Sequence, residues 1–156
     1  APGQESVWDY PRPPAVEPVA ERLQVWFAGA PIADTVHGLR VVETSCPPTY
    51  YFPQEDVRLD FLKPMVHTTL CEWKGLATYW NVNIRGRRQE AVAWSYDSPQ
   101  PAYGRLKRHF AFYPGLVDTC LVGTQQVQAQ VGDYYGGWIT SNIVGPFKGA
   151  PGSRLW

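Results

Sequence analysis

The stretch Ala77-Thr78-Tyr79-Trp80-Asn81-Val82-Asn83-Ile84-Arg85-Gly86-Arg87-Arg88-Gln89-Glu90-Ala91-Val92-Ala93-Trp94-Ser95-Tyr96 decides the fold. Residues 77–84 and 91–96 are short runs rich in Val, Ile and aromatic side chains, and Gly86 lies between them where a hairpin needs a residue tolerant of φ > 0. The same texture extends in both directions. It predicts strands at 22–28, 31–34, 39–44, 49–52, 68–73, 110–113 and 119–122, with 125–128 closing a last hairpin. Gly29 and Gly123 fall in two of the gaps, and Pro47-Pro48 reads as a turn. One short helix is expected over 101–109, opened by Pro101, carrying Arg105, Lys107, Arg108 and His109 toward its C-terminal end, and capping an edge of the sheet. The fold class is all-β, mainly antiparallel.

Residues 1–20 form an extended arm, because Pro11, Pro13, Pro14 and Pro18 exclude a helix interior or a central strand. Val7, Trp8 and Tyr10 are costly to leave in water, so the arm is expected to pack on a single β domain spanning 21–156. Over 132–156, glycines alternate with Tyr134, Tyr135, Trp138, Phe147 and Trp156, the pattern of an ordered segment wrapping the sheet. The 156 residues carry 14 Lys and Arg against 14 Asp and Glu, so no net field steers the chain to nucleic acid or an anionic membrane. The basic runs 85–88 and 105–108 read as solvated surface. With no apolar run near the roughly 18 residues that span a bilayer, a cytoplasmic protein is the expectation. Cys46, Cys71 and Cys120 are isolated, and so are His37, His67 and His109. That spacing points to small buried thiols, not to a disulfide scaffold or a zinc site, and no metal or cofactor is expected.

No phosphate-loop, dinucleotide-binding, nucleophile-elbow or zinc-protease motif is present. What stands out is aromatic density: 7 Trp, 9 Tyr and 6 Phe, clustered at 73–80, 94–96 and 134–138. Such side chains fill cores, and they also wall pockets that grip planar or cationic ligands. Cys71-Glu72-Trp73-Lys74-Gly75 puts Glu72 and Lys74 on one face of an apolar strand and Cys71 and Trp73 on the other. That charge pair is either a solvated face or part of a pocket in which both titrations shift. Glu43 ends another apolar strand, and a meeting of Glu43 with Glu72 would supply a general acid/base pair.

Trp8-Asp9-Tyr10-Pro11-Arg12-Pro13-Pro14, Arg40-Val41-Val42-Glu43-Thr44, Pro48-Thr49-Tyr50-Tyr51, Cys71-Glu72-Trp73-Lys74-Gly75, Ala93-Trp94-Ser95-Tyr96 and Gly136-Gly137-Trp138-Ile139-Thr140 together resemble the bacterial family known as domain of unknown function 427. The resemblance runs from about Ser6 to Trp156. Met65-Val66-His67 departs from it, standing where the family carries a polar stretch. It implies a tent-like packing of short antiparallel sheets, similar to that of Mss4 and methionine sulfoxide reductase B. The two cysteine pairs that hold zinc in many members of that wider fold are missing here. A nucleotidyltransferase label attached to the family would need clustered carboxylates for Mg²⁺, whereas Glu55, Asp56 and Asp60 read as a solvated turn.

The leading expectation is therefore a small-molecule binding protein. Its pocket would be lined by Tyr50, Trp73, Tyr79, Trp94, Tyr96 and Trp138, with Lys74, Glu72 and Glu43 as polar contacts. The alternative is an enzyme that uses Glu72 or Glu43 as acid/base in the same pocket. A module presenting Pro11 to Pro14 to a protein partner is a third reading.

Overall fold

The computed structural model describes residues 4–71, 75–130, 136–145 and 147, with side chains for all of these except 67–71. Within them run β1 (Glu5–Ser6), β2 (Ala15–Pro18), β3 (Leu23–Phe27), β4 (Ala30–Thr35), β5 (Leu39–Glu43), β6 (Cys46–Pro53), β7 (Leu62–Cys71) and β8 (Gly75–Ile84). They are followed by β9 (Arg87–Tyr96), β10 (His109–Phe112), β11 (Thr119–Val122), β12 (Gln125–Gln126), β13 (Gln128–Ala129), β14 (Trp138–Ile139) and β15 (Ile143–Val144). A seven-stranded sheet in the order β2-β5-β6-β10-β9-β8-β7 faces a four-stranded sheet in the order β12-β11-β3-β4. Every ladder in the two is antiparallel, as the sequence predicts. Leu23, Val25, Phe27 and Ile32 from one sheet meet Phe52, Val82, Phe110 and Phe112 from the other in the main core. No helix among the described residues is long and apolar enough to cross a membrane.

The hairpin glycines sit where the sequence puts them. Ala28 and Gly29 have φ of 50° and 77°, and Arg85 and Gly86 have 52° and 87°, so both central residues of each turn are left-handed, as a tight hairpin needs. The turn assigned to Pro47-Pro48 is instead made by Thr44 and Ser45, because Glu43 pairs with Cys46. Both prolines lie inside β6, where the β5–β6 register shifts between Val41 and Glu43 and so requires no ladder donor from them. Similarly, β7 begins at Leu62, six residues before the predicted strand, since Pro64 is tolerated on a sheet edge.

Ser45 is the strained point of the β5–β6 turn. Its φ is 70°, it is fully buried, and its hydroxyl has no hydrogen-bond partner. A left-handed serine and an unsatisfied buried hydroxyl each cost about 1–2 kcal/mol, more than the backbone entropy glycine would lose. Ser45→Gly is therefore expected to stabilise the protein by about 1 kcal/mol in urea unfolding. A loss of stability would show that the hydroxyl is satisfied.

The predicted helix at 101–109 is a short 3-10 segment, Pro101–Leu106, broken at Tyr103, and His109 already belongs to β10. It covers a face of the seven-stranded sheet rather than an edge: Tyr103 and Leu106 are buried in a second cluster with Leu39, Tyr51, Trp94 and Tyr96. The Tyr103 hydroxyl also donates to the Pro14 carbonyl at 2.9 Å.

The arm contributes strands. β2 adds to the edge of the large sheet and β1 pairs in parallel with β15. Its apolar anchor is Val7, which is fully buried, whereas Trp8 is 42% exposed, because the 3-10 turn Val7–Asp9 points consecutive side chains in different directions. The basic run 85–88 is exposed, as expected, and within it Arg87 bonds Asp118 at 2.6 and 2.7 Å and lies over Phe27. Cys120 is buried, which pushes its thiol well above the usual range, and Cys46 is only half-buried.

Candidate functional site

Register builds the site. Glu17 of β2 is opposite Arg40 of β5, and Arg40 is opposite Tyr50 of β6, so the three form a row across adjacent strands. Tyr50 points into the main core, which places the row on the face turned toward the four-stranded sheet. There it forms one wall of a cleft of 640 Å³. Val122 and Gln125, at the β11–β12 turn, make the opposite lip, while Glu5 of β1 and Thr140 and Asn142 of the β14–β15 turn close one end.

Arg40 is the centre of the cleft's electrostatics. Its Nε donates to Glu17 at 2.8 Å, and its terminal nitrogens reach the two carboxylate oxygens of Glu5 at 3.0 and 3.3 Å. Tyr10 donates to Glu5 at 2.7 Å and its ring lies 5.9 Å from the guanidinium carbon. Only 18% of the Arg40 side chain is exposed. Burial alone would weaken its charge, but hydrogen bonds to the two carboxylates outweigh that and hold it firmly protonated. Burial would likewise raise the Glu5 carboxyl; hydrogen bonds from Arg40 and Tyr10 and the Arg40 charge bring it below the usual carboxylate range. The Tyr50 phenol is pushed up by burial against the pull of Arg40. Glu21, on the rim, is in no ion pair among the described residues.

The structure divides the residues picked out from the sequence. Tyr50 lines the cleft, and Trp138 lies behind it with ring centroids 5.0 Å apart. Tyr79, Trp94 and Tyr96 come together on the other face of the large sheet. There Trp94 meets Tyr113 at 4.5 Å and Tyr51 edge-on at 6.3 Å, and its indole donates to the Tyr51 hydroxyl at 3.4 Å. Burial, with Tyr79 beside it, pushes the Tyr113 phenol up. Glu43 is half-buried at the end of β5 and does not line the cleft. Glu72, Trp73 and Lys74 lie outside the described residues.

Arg40, Glu17 and Glu5 were missed from sequence, although a signal existed. Arg40 interrupts the apolar run Leu39-Arg40-Val41-Val42 just as Glu72 and Lys74 interrupt theirs. The partners of Arg40 come from the arm, whose docking position no local pattern encodes.

A second, broader groove of 910 Å³ lies along Asp60–Lys63, Asn81–Asn83 and Arg88–Glu90. Three of its polar groups are committed: Asp60 to Arg58, the Asn81 oxygen to the Ala91 N–H and the Asn83 oxygen to the Gly86 N–H. Asp56 likewise accepts from Thr35. Among the described residues no group of three His, Cys, Asp or Glu is placed to hold a metal ion.

A family model described as domain of unknown function (DUF427) matches residues 15–123. The chain belongs to this family. No curated protein matches it. Within the segment matched to DUF427 lie Glu17, Arg40, Tyr50 and Val122, so the row across β2, β5 and β6 is part of the DUF427 region. Glu5, Gln125, Thr140 and Asn142, which complete the cleft, lie beyond it.

Proposed function

We propose that the protein binds a small organic molecule in the Arg40 cleft. The observation that carries this reading is the row Glu17–Arg40–Tyr50, half-buried charge and an aromatic ring set into a concavity of 640 Å³ between the two sheets. That volume falls within the roughly 300–1,000 Å³ of small-molecule sites. Val19 and Val122 offer apolar contact, and Gln125 and Asn142 offer amides that orient a polar ligand.

Native mass spectrometry of the gently purified protein tests the reading. A stoichiometric bound mass is expected, and Gln125→Trp, which fills the cleft from its lip, is expected to lose it while keeping the wild-type circular dichroism spectrum. A protein that carries and retains no small molecule from its native extract, or a bound mass that survives Gln125→Trp, would refute the site.

A further inference from the structure

Glu5 occupies the Arg40 fork as a bound acid would. Its two oxygens face the two terminal nitrogens at 3.0 and 3.3 Å, the paired geometry by which guanidinium groups recognise carboxylates. Glu17 takes only Nε, and both terminal nitrogens go to Glu5. The strand that brings Glu5 there is short, and besides Arg40 its carboxylate is held by the Tyr10 hydroxyl. β1 has two residues, paired with β15 through a ladder that includes the Glu5 N–H bond to the Asn142 carbonyl at 2.7 Å. Immediately after it the chain is firmly fixed: Val7 is fully buried, and the Val7 and Pro11 carbonyls accept from the Ser45 and Thr44 N–H groups. A swing of residues 4–6 about Ser6 would free the Arg40 fork while leaving these Val7 and Pro11 contacts in place.

We propose that Glu5 is a built-in competitor, and that the ligand of this cleft carries a carboxylate that takes its place on Arg40. The proposal rests on the cleft being a ligand site and adds the ligand's chemical class and a means of control. With Glu5 displaced, Arg40 still has Glu17 beside it and Glu21 on the rim, with Tyr50 facing it across the strand. One incoming carboxylate restores the charge balance of the closed state. A dianion is opposed by both glutamates, so phosphate is disfavoured. Because Glu5 is tethered, its effective concentration at the fork is high, and the ligand's apparent affinity is reduced accordingly.

The test is titration of the full chain with sodium acetate, with sodium chloride at matched ionic strength as control, followed by NMR shifts of Arg40 Nε and the Tyr50 and Asn142 amides. Glu5→Gln is expected to bind acetate roughly ten-fold more tightly than the wild type, the effect of losing one charge-assisted competitor. Glu5→Ala repeats the measurement with no amide left to hold the fork, and Glu5→Gln combined with Arg40→Gln should abolish the gain. Phosphate is expected to bind more weakly than acetate. No gain in either Glu5 variant, a gain that survives loss of Arg40, or tighter binding of phosphate would overturn the proposal. The native ligand search is independent of this titration. An empty cleft in native extracts together with tight acetate binding by Glu5→Gln would sink the functional reading and leave the Arg40 competition standing.

Discussion

Trp138→Ala is expected to cost about 4 kcal/mol. The β6–β10 ladder runs through His109–Pro53 and Phe110–Phe52, and Trp138 touches both strands, at Tyr50 and Phe52 of β6 and at Phe112 of β10. Its ring lies 5.0 Å from Tyr50 and 5.9 Å from Phe52, and its indole N–H donates to the Phe112 carbonyl at 3.1 Å. The side chain is fully buried, so truncation leaves a ring-sized cavity and an orphaned carbonyl, and aromatic-to-alanine changes of this kind cost about 3–5 kcal/mol. Trp138→Phe separates the two contributions. It keeps most of the packing but removes the donor, for an expected loss of about 1–3 kcal/mol. Urea unfolding with an unchanged m-value measures both, and a Trp138→Ala loss under 1 kcal/mol would mean that the sheet closes without it.

Arg40→Met is expected to lower stability by about 2–3 kcal/mol and to reverse the Glu5 contribution to the response to acid. Breaking a fully buried pair costs about 3–5 kcal/mol, and the value is set lower here because the side chains of Glu5 and Glu17 are 37% and 45% exposed. The melting temperature should fall by roughly 5–10 °C. In the wild type the Glu5 carboxyl titrates below its unfolded value of 4.5. Its contribution is fully present above that pH and is lost as the pH falls through the folded value. Without the guanidinium, burial outweighs the Tyr10 hydrogen bond on Glu5 and raises its pKa, so the Glu5 contribution in Arg40→Met should instead grow as the pH drops toward 4.5 and below, while Asp34, Asp60 and Asp118, each held low by an arginine, lose their contributions in both proteins. Melting curves between pH 7 and 4 distinguish the cases. Parallel losses in both proteins would show that Arg40 does not govern Glu5.

Strands were legible because hydrophobic runs and hairpin glycines agree: Phe27 and Ala30 flank Ala28-Gly29, and Ile84 and Arg87 flank Arg85-Gly86, as the glycines require. Where local signals conflict with tertiary context, context prevails. Pro47 and Pro48 read as a turn yet lie in a strand, at an irregular register, and Pro64 lies in an edge strand that starts before the expected one. The opening of 101–109 looked helical from Pro101 onward, but a left-handed Arg108 and the bridge of Lys107 to Tyr96 turn the chain into β10. For the candidate site, Tyr50 and Trp138 were visible as aromatics. Their separation from Trp94 and Tyr96 was not, since strand alternation assigns faces only once register is known. Arg40 acquires its meaning from Glu5 and Glu17, and those contacts depend on where the arm docks.

The parallel pairing of β1 with β15 joins positions far apart in the sequence through a ladder of two residues. Closing so long a loop costs chain entropy that grows only slowly with its length, but a two-residue ladder returns little against it. A contact of that kind condenses after the sheets and is among the first to open, so it belongs to the least cooperative layer of the molecule. On the proposal above, the wall that carries Glu5 would open on the clock of local fluctuations, while the row of Glu17, Arg40 and Tyr50 would stay as long-lived as the sheet that holds it.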